Sequence, residues 1–373
     1  MTYNDLSGPY HYGPSAPADE RDDPVPSTPI DVPQPADRFG VHIVLEVLLA
    51  LGFAGALFAL YRSPQADLGS ADGRHLAIII AVPILLIAMA AAVSLRVGLT
   101  NVAVGAVAAG AGVIFALNSP RGTLSAAAIT IGIVLAAGLV LSILVIVLRT
   151  PGWLASGAVA IAVTAWVTAR PDIGVSIDGL GLFPASSAWI WLVLTAGLSI
   201  LLGIIAATSR FRDRLGDCRE VAASGGPRPT ATVMMMLVGL LTSVVLAGLA
   251  GIWIAWTATD LSTSEVHAAS FDPLRLTLIG FAAALLGGTS AFGRIGGVLG
   301  TVLAAFGLTA ALLLLRASGS TVDAIWLWLP ALALGAIVNR VVEWLAPGID
   351  DWSDDREPPR ALTSSSASPD PFR

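Results

Sequence analysis

The chain has 373 residues, of which 55% are hydrophobic and only 12% charged, with a mean hydropathy of +0.80 and a net charge of −6. Soluble proteins carry about 25% charged residues, so a soluble globule, which would lack the polar groups to cover its surface, is excluded. The single cysteine, Cys218, excludes a disulfide framework, a cysteine zinc site and a CxxC redox motif. The four histidines are scattered, all 20 basic residues are arginine, and neither pattern points to a metal cluster or to nucleic acid.

Residues 1–40 hold eight prolines, seven acids and two arginines. They cannot bury a core and predict a disordered, solvated tail. A signal peptide would open with a short cationic stretch, so the apolar run that follows this acidic segment reads as an uncleaved membrane helix. Ten apolar segments follow, near 41–61, 76–95, 97–117, 124–148, 153–169, 188–208, 232–258, 274–292, 295–315 and 325–345. Each is close to the roughly 20 residues that cross a bilayer. They predict an all-α, polytopic helix bundle over 41–347, embedded in the lipid of a cell membrane. Trp153, Trp189, Trp191, Trp253, Trp256, Trp326 and Trp328 fall near segment ends, where the headgroup region favours an amphipathic ring. Residues 348–373 are again acidic, with serine and proline, and read as a second cytoplasmic tail.

Arginine placement orients the bundle. With the N-terminus inside, 14 arginines fall on the inner side and six on the outer, and the 208–231 loop alone supplies five of the 14. The positive-inside rule then puts both tails in the cytoplasm.

Gly98, Gly105 and Gly112 repeat every seven residues, as do Gly293, Gly300 and Gly307. Seven residues is nearly two helical turns, so each set lies along one helix face, where small residues permit close helix contact. Each set follows an apolar stretch with a short Gly- and Arg-containing interruption, Arg96–Gly98 in one and Gly293–Gly297 in the other. Paired interrupted segments often mark a transporter's translocation path. In the orientation above they form a parallel repeat.

No GxSxG, HExxH, GxxxxGK[ST] or dinucleotide motif is present, so neither a catalytic residue nor a cofactor site is expected. Ionisable groups inside the segments are few. Glu46 lies roughly 7 Å into the first one at 1.5 Å per residue, and Arg340 and Glu343 lie near the inner end of the last. Their positions near an interface suit snorkelling or local pairing, and none offers a midplane ion-coupling group.

The loop SRFRDRLGDCREVAASGG (209–226) is the most informative polar segment. It suits either a solvated basic loop or a short amphipathic helix with Phe211 and Leu215 as its apolar stripe. Its Arg210, Phe211, Gly216, Glu220, Ala222 and Gly226 resemble the coupling loop of ribose/xylose-type ABC importer permeases. The run LLGGTSAFGRIGGVLGTVLAAFGL (285–308) resembles that family's most characteristic stretch at Gly287, Gly288, Thr289, Ser290, Gly293, Gly300 and Thr301. VSLRVG (93–98), RTPGWLAS (149–156) and LAGLAGIW (246–253) match more weakly but in order. Ser94 stands where the family usually has Asp and Arg96 where it has Ser, and the coupling loop is about three residues shorter.

The resemblance implies a permease subunit that performs no chemistry of its own. Its partners would be ABC ATPase subunits, an extracytoplasmic substrate-binding protein and a second permease copy or paralogue, and its solute a sugar or similar small polar molecule. It places Arg210, Phe211, Arg212, Arg214, Leu215, Gly216 and Glu220 at the ATPase. Ser94, Gly98, Asn101, Gly105, Gly287, Gly288, Thr289, Ser290, Gly293 and Gly300 would then line the translocation path or pack its helices. A non-transporting membrane scaffold or regulator derived from such a permease is the alternative.

Overall fold

The computed structural model describes residues 39–169, 185–224, 229–257, 272–290 and 299–345. Eleven helices lie among them: α1 Phe39–Arg62, α2 Ala71–Arg96, α3 Val104–Asn118, α4 Thr123–Ser142, α5 Gly152–Thr168, α6 Ala185–Ala207, α7 Ser209–Ser224, α8 Thr230–Thr257, α9 Pro273–Leu286, α10 Gly300–Ala317 and α11 Ile325–Leu345. A π-helical turn at Ile143–Val147 extends α4. No strand occurs among the described residues. The tails expected at 1–40 and 348–373 lie outside these residues, except that α1 opens at Phe39.

Local chemistry sets several helix starts. The Ser70 hydroxyl caps α2 by accepting the Gly73 N–H at 3.0 Å. Asp272 caps α9 by accepting the N–H groups of Leu274 and Arg275, and Pro273, which has no N–H to satisfy, opens the helix.

Each of the ten apolar segments contains one helix, but six are long and apolar enough to cross a membrane: Ile43–Arg62, Ala71–Arg96, Thr123–Val147, Ala188–Ala207, Thr230–Thr257 and Gly300–Ala317. The segment read as starting at 97 becomes helical only at Val104, and the one read as running to 292 stops at Leu286. Both losses are at glycines with positive φ: Gly98 at 71° and Gly288 at 79°. Glycine adopts this left-handed conformation without a Cβ clash, and it ends the helix.

Side-chain contacts along α8 fix the direction of its neighbours. Trp253 Nε1 donates to the Ile79 carbonyl and the Ser243 hydroxyl to that of Ala90, so α2 runs antiparallel to α8. Val97 meets Gly239 and Ala108 meets Gly251, so α3 runs back parallel to it. Val134 against Gly248 and Val244 against Gly138 make α4 antiparallel again. Near α9, Gly280 faces Ile87, and Ala284 and Leu285 cluster with Ala91, Ala92 and Leu95, so α9 follows α2. Phe53 packs on Phe306, with ring centroids 5.9 Å apart, and Glu46 reaches Leu299, so α1 follows α10. Asp323 meets Arg275 while Gly335 meets Leu285 and Leu286, so α11 follows α9.

α2 and α3 form the centre: every residue of 78–92 and of 104–113 is buried. The α3 run VGAVAAGAGV is small enough for close backbone approach, which stabilises apolar helix pairs where lipid removes the hydrophobic drive. α1 and α6 lie at the periphery with apolar side chains such as Leu48, Leu51, Phe58, Val193 and Leu201 exposed.

Candidate functional site

The two glycine breaks share one hydrogen-bond pattern. After α2, Gly98 N–H donates to Leu95 O and Leu99 N–H to Ser94 O, both at 3.0 Å. After α9, Gly288 N–H donates to Leu285 O and Thr289 N–H to Ala284 O, again both at 3.0 Å. Both breaks lie toward the same end of the bundle, because α9 runs with α2 and packs Ala284 and Leu285 on Ala91, Ala92 and Leu95. Val97 faces Gly239, which places the first break about 14 Å along α8 at 1.5 Å per residue.

The first break is closed by buried polar groups from three helices. The Ser94 hydroxyl donates to Ala91 O at 2.8 Å, and the Asn101 amide nitrogen donates to Ser243 Oγ of α8 at 3.0 Å. Asn101 Oδ1 accepts the Ala103 N–H at 3.1 Å. Ser156 of α5 accepts the Val102 N–H, also at 3.1 Å. Ser94, Asn101 and Ser243 are fully buried. Here the buried backbone lacks helical partners, and side chains replace them.

The second break is built differently. A Cβ at Gly287 would strike Gly300 and Thr301, and one at Gly300 would strike Gly287, so α9 and α10 cross through bare backbone. Leu45 of α1 abuts Gly288, and the Glu46 carboxylate accepts the Leu299 N–H at 2.9 Å, capping α10 from another helix. This corrects the local-pairing reading of Glu46: its partner is distant in sequence. Thr289, Ser290 and Thr301 are buried around the crossing.

The glycine repeat divides. Gly105 meets Pro273 and Thr277 of α9, and Gly112 meets Gly251 of α8. Gly98 sits in the break and not on the α3 face. Gly307 has open space at its Cβ direction, so it makes no close helix contact, and Gly293 lies outside the described residues.

The 209–224 segment is an amphipathic helix, α7. Leu215, Cys218 and Val221 point inward, and Cys218 Sγ donates to Thr232 O of α8 at 3.7 Å. Leu215 is therefore spent on the chain's own core and cannot present an outward stripe with Phe211. Phe211, 37% exposed, remains outside with Arg214, Gly216 and Asp217. Arg210, Arg212 and Glu220 also lie on α7. Burial, reinforced by Asp217, pushes the Cys218 thiol up to about 11.

At the opposite end Arg275 joins two elements. Its guanidinium meets Asp323 Oδ2 at 2.7 Å and Asp272 Oδ2 at 3.2 Å, tying α9 to the start of α11. The Ile325 N–H and Arg275 hold the Asp323 carboxyl below the usual carboxylate range. Beneath lies a cavity of about 110 Å³, lined by Pro83, Ile84, Thr257, Arg275, Arg316 and Trp328 among others. A larger apolar crevice of about 640 Å³ opens between α1, α2, α6 and α10.

Sequence reasoning missed Ser243, Ser156, Arg275 and Asp323. A lone serine in a long apolar helix is a signal for the first two, but it does not name a partner. Among the described residues no group of three or more His, Cys, Asp or Glu side chains could hold a metal ion. Compared with models of known families, with curated proteins and with solved structures, the chain matches none.

Proposed function

We propose that the chain is the membrane-spanning permease subunit of an ABC importer for a sugar or similar small polar solute. It crosses the cell membrane ten times with both tails cytoplasmic. Alternation of the apolar helices supports ten crossings. α3, at about 22 Å long by rise per residue, and α9 are shorter than the roughly 30 Å hydrocarbon core, and the non-helical residues beside them complete those crossings. The arginine asymmetry supports the orientation.

One observation carries the reading: α7, a charged amphipathic helix held between α6 and α8, leaves Phe211 exposed beside Arg214 at the end where both helices break. An ATPase subunit docked there would bear on both breaks together, and its closure would tilt the helices as rigid bodies. Phe211 would be the anchor and the arginines the rim. Burying it contributes about 1.5–3 kcal/mol, a factor of about 10 to 150 in affinity, while a rim arginine acts mainly on encounter rate.

The test is affinity purification in mild detergent, followed by solute-stimulated ATP hydrolysis in the reconstituted complex. Phe211→Ala is expected to lose ATPase-subunit recovery or coupling with the membrane domain still folded, and Arg214→Ala to change little at physiological salt. If no ATPase subunit associates with the wild type, the importer reading fails and a non-transporting scaffold takes its place.

A further inference from the structure

The apolar crevice between α1, α2, α6 and α10 holds about 640 Å³, inside the range of roughly 300–1,000 Å³ usual for ligand pockets. The four helices that wall it are all long and apolar enough to cross a membrane. One end of the crevice is polar and the other is not. Tyr61 at the end of α1, Arg74 in the first turn of α2 and Trp189 near the start of α6 line one end. Trp191 rests edge-on against Trp253, which bonds the Ile79 carbonyl of α2, so the start of α6 lies at that level. At the other end Phe53 of α1 meets Phe306 of α10.

Depth and width decide what fits. From Tyr61 to Phe53 is about 12 Å along α1, and from Arg74 to Ala81 about 10 Å along α2, at 1.5 Å per residue. The hydrocarbon half of a bilayer is about 15 Å deep, so the crevice runs through most of one leaflet. Its aromatic and arginine rim then stands at headgroup level. A second helix, about 10 Å across, would fill roughly 900 Å³ over the same depth. That is more than the crevice holds, whereas one hydrocarbon chain is much thinner. A polar solute finds no partner in the walls below the rim, where Thr309 gives its hydroxyl to Ala305 O at 2.8 Å.

The rim arginine is poised for an anion. Arg74 is exposed, and its Nη1 donates to the carbonyls of Leu68 at 3.3 Å and Gly69 at 2.6 Å. These bonds hold the guanidinium at the rim and leave Nε and Nη2, an edge that can form two parallel bonds to a phosphate. Among the described residues Arg74 forms no ion pair.

We propose that the crevice binds one phospholipid per chain, with an acyl chain along the groove and its phosphate on Arg74. Within a bilayer the hydrophobic effect favours neither the crevice nor the surrounding lipid. Selectivity comes from filling the void and from the charge-assisted bonds at the rim. The site rests on the bundle's membrane crossings and needs no ATPase subunit, so its fate is separate from that of the importer reading.

The experiment is native mass spectrometry of the purified full-length protein after delipidation by extended detergent washing. The protein is titrated with phosphatidylglycerol or with diacylglycerol of the same chains. Wild type is expected to take up one phosphatidylglycerol and to bind diacylglycerol at least about tenfold more weakly. Arg74→Gln should erase that difference. Arg121→Gln removes an exposed arginine from the same end of the bundle but outside the crevice, and should keep it. Ala54→Trp, which enters the crevice from the exposed side of α1, should expel both lipids with helix content unchanged by circular dichroism. If that variant folds poorly, the two arginine variants still decide. Equal affinity of wild type for the two lipids, or unchanged discrimination in Arg74→Gln, overturns the site. A folded Ala54→Trp variant that keeps its phosphatidylglycerol also overturns it, and one that breaks a dimer without losing lipid assigns the crevice to a second copy instead.

Discussion

Asn101 and Ser243 are 142 residues apart in sequence and 3.0 Å apart in space. Their hydrogen bond holds the α2–α3 break against the side of α8. Removing Ser243 leaves the buried Asn101 amide nitrogen unsatisfied, and removing Asn101 leaves the Ala103 N–H without its acceptor while Ser243 still donates to Ala90 O, each at a cost of about 1–3 kcal/mol. Asn101→Ala and Ser243→Ala are therefore each expected to lower the unfolding midpoint in detergent. The double variant is expected to cost less than the sum of the two, because the second substitution removes a group the first had orphaned. Strict additivity would show that the contact contributes nothing. Cys218 makes a different residue-scale test. Its thiol is pushed up to about 11 by burial and by Asp217, and the thiolate is the reactive form. At pH 8 only about one thiol in a thousand is ionised, so a maleimide should label the folded protein slowly and the denatured protein promptly. Prompt labelling before unfolding would show that α7 does not pack on α8 as described.

At the scale of elements, the glycines separate into those that hold helices together and those that do not. A Cβ at Gly300 would meet the Gly287 backbone, whereas one at Gly307, on the same helix, meets nothing within 4 Å. Gly300→Ala is expected to reduce the yield of folded protein, and Gly307→Ala to be neutral or to stabilise, since alanine is favoured over glycine in a helix by about 1 kcal/mol. Equal losses would remove the distinction. The heptad spacing in the sequence cannot make it, because period alone does not say which turn faces a neighbour. The same limit explains what hydropathy left out. Ten apolar runs marked ten helices, since each needs only its own residues to be apolar. The early stop of α9, the late start of α3 and the inward turn of Leu215 depend on what packs beside them. Glu46 is the clearest case, a lone acid whose partner at Leu299 comes from a helix near the other end of the chain. The α9–α11 tie adds a pH dependence. Asp323 has a folded-state pKa below its usual value, so its contribution is present above the ordinary carboxylate range and is lost as pH falls below about 4. Asp323→Asn should remove that acid sensitivity from the mobility of the α10–α11 connection, read by hydrogen exchange there. An unchanged acid response would assign it to another carboxylate.

For the whole molecule, α7 and the Arg275–Asp323 tie mark opposite ends of one alternating bundle. α6 leads into α7, which packs on the start of α8, while Arg275 and Asp323 stand at the starts of α9 and α11. Ala222 on α7 is exposed at one end and Ser320, between α10 and α11, at the other. If the bundle spans the membrane with α7 inside, a cysteine at Ser320 must face out and one at Ala222 must face in. In a Cys218→Ser background, a membrane-impermeant maleimide applied to intact cells should label Ser320→Cys and spare Ala222→Cys, and permeabilised cells should label both. The reverse pattern would turn the bundle over, put α7 outside and remove any route from α7 to a cytoplasmic ATPase, even if every helix contact stayed as it is. Labelling of both sites in intact cells would place the two ends on one side, which no alternating bundle allows, and would overturn the membrane crossings themselves. The arginine count predicts the first outcome: the loop carrying α7 holds five of the 20 arginines, and retaining such a loop on the cytoplasmic side is what sets orientation during insertion.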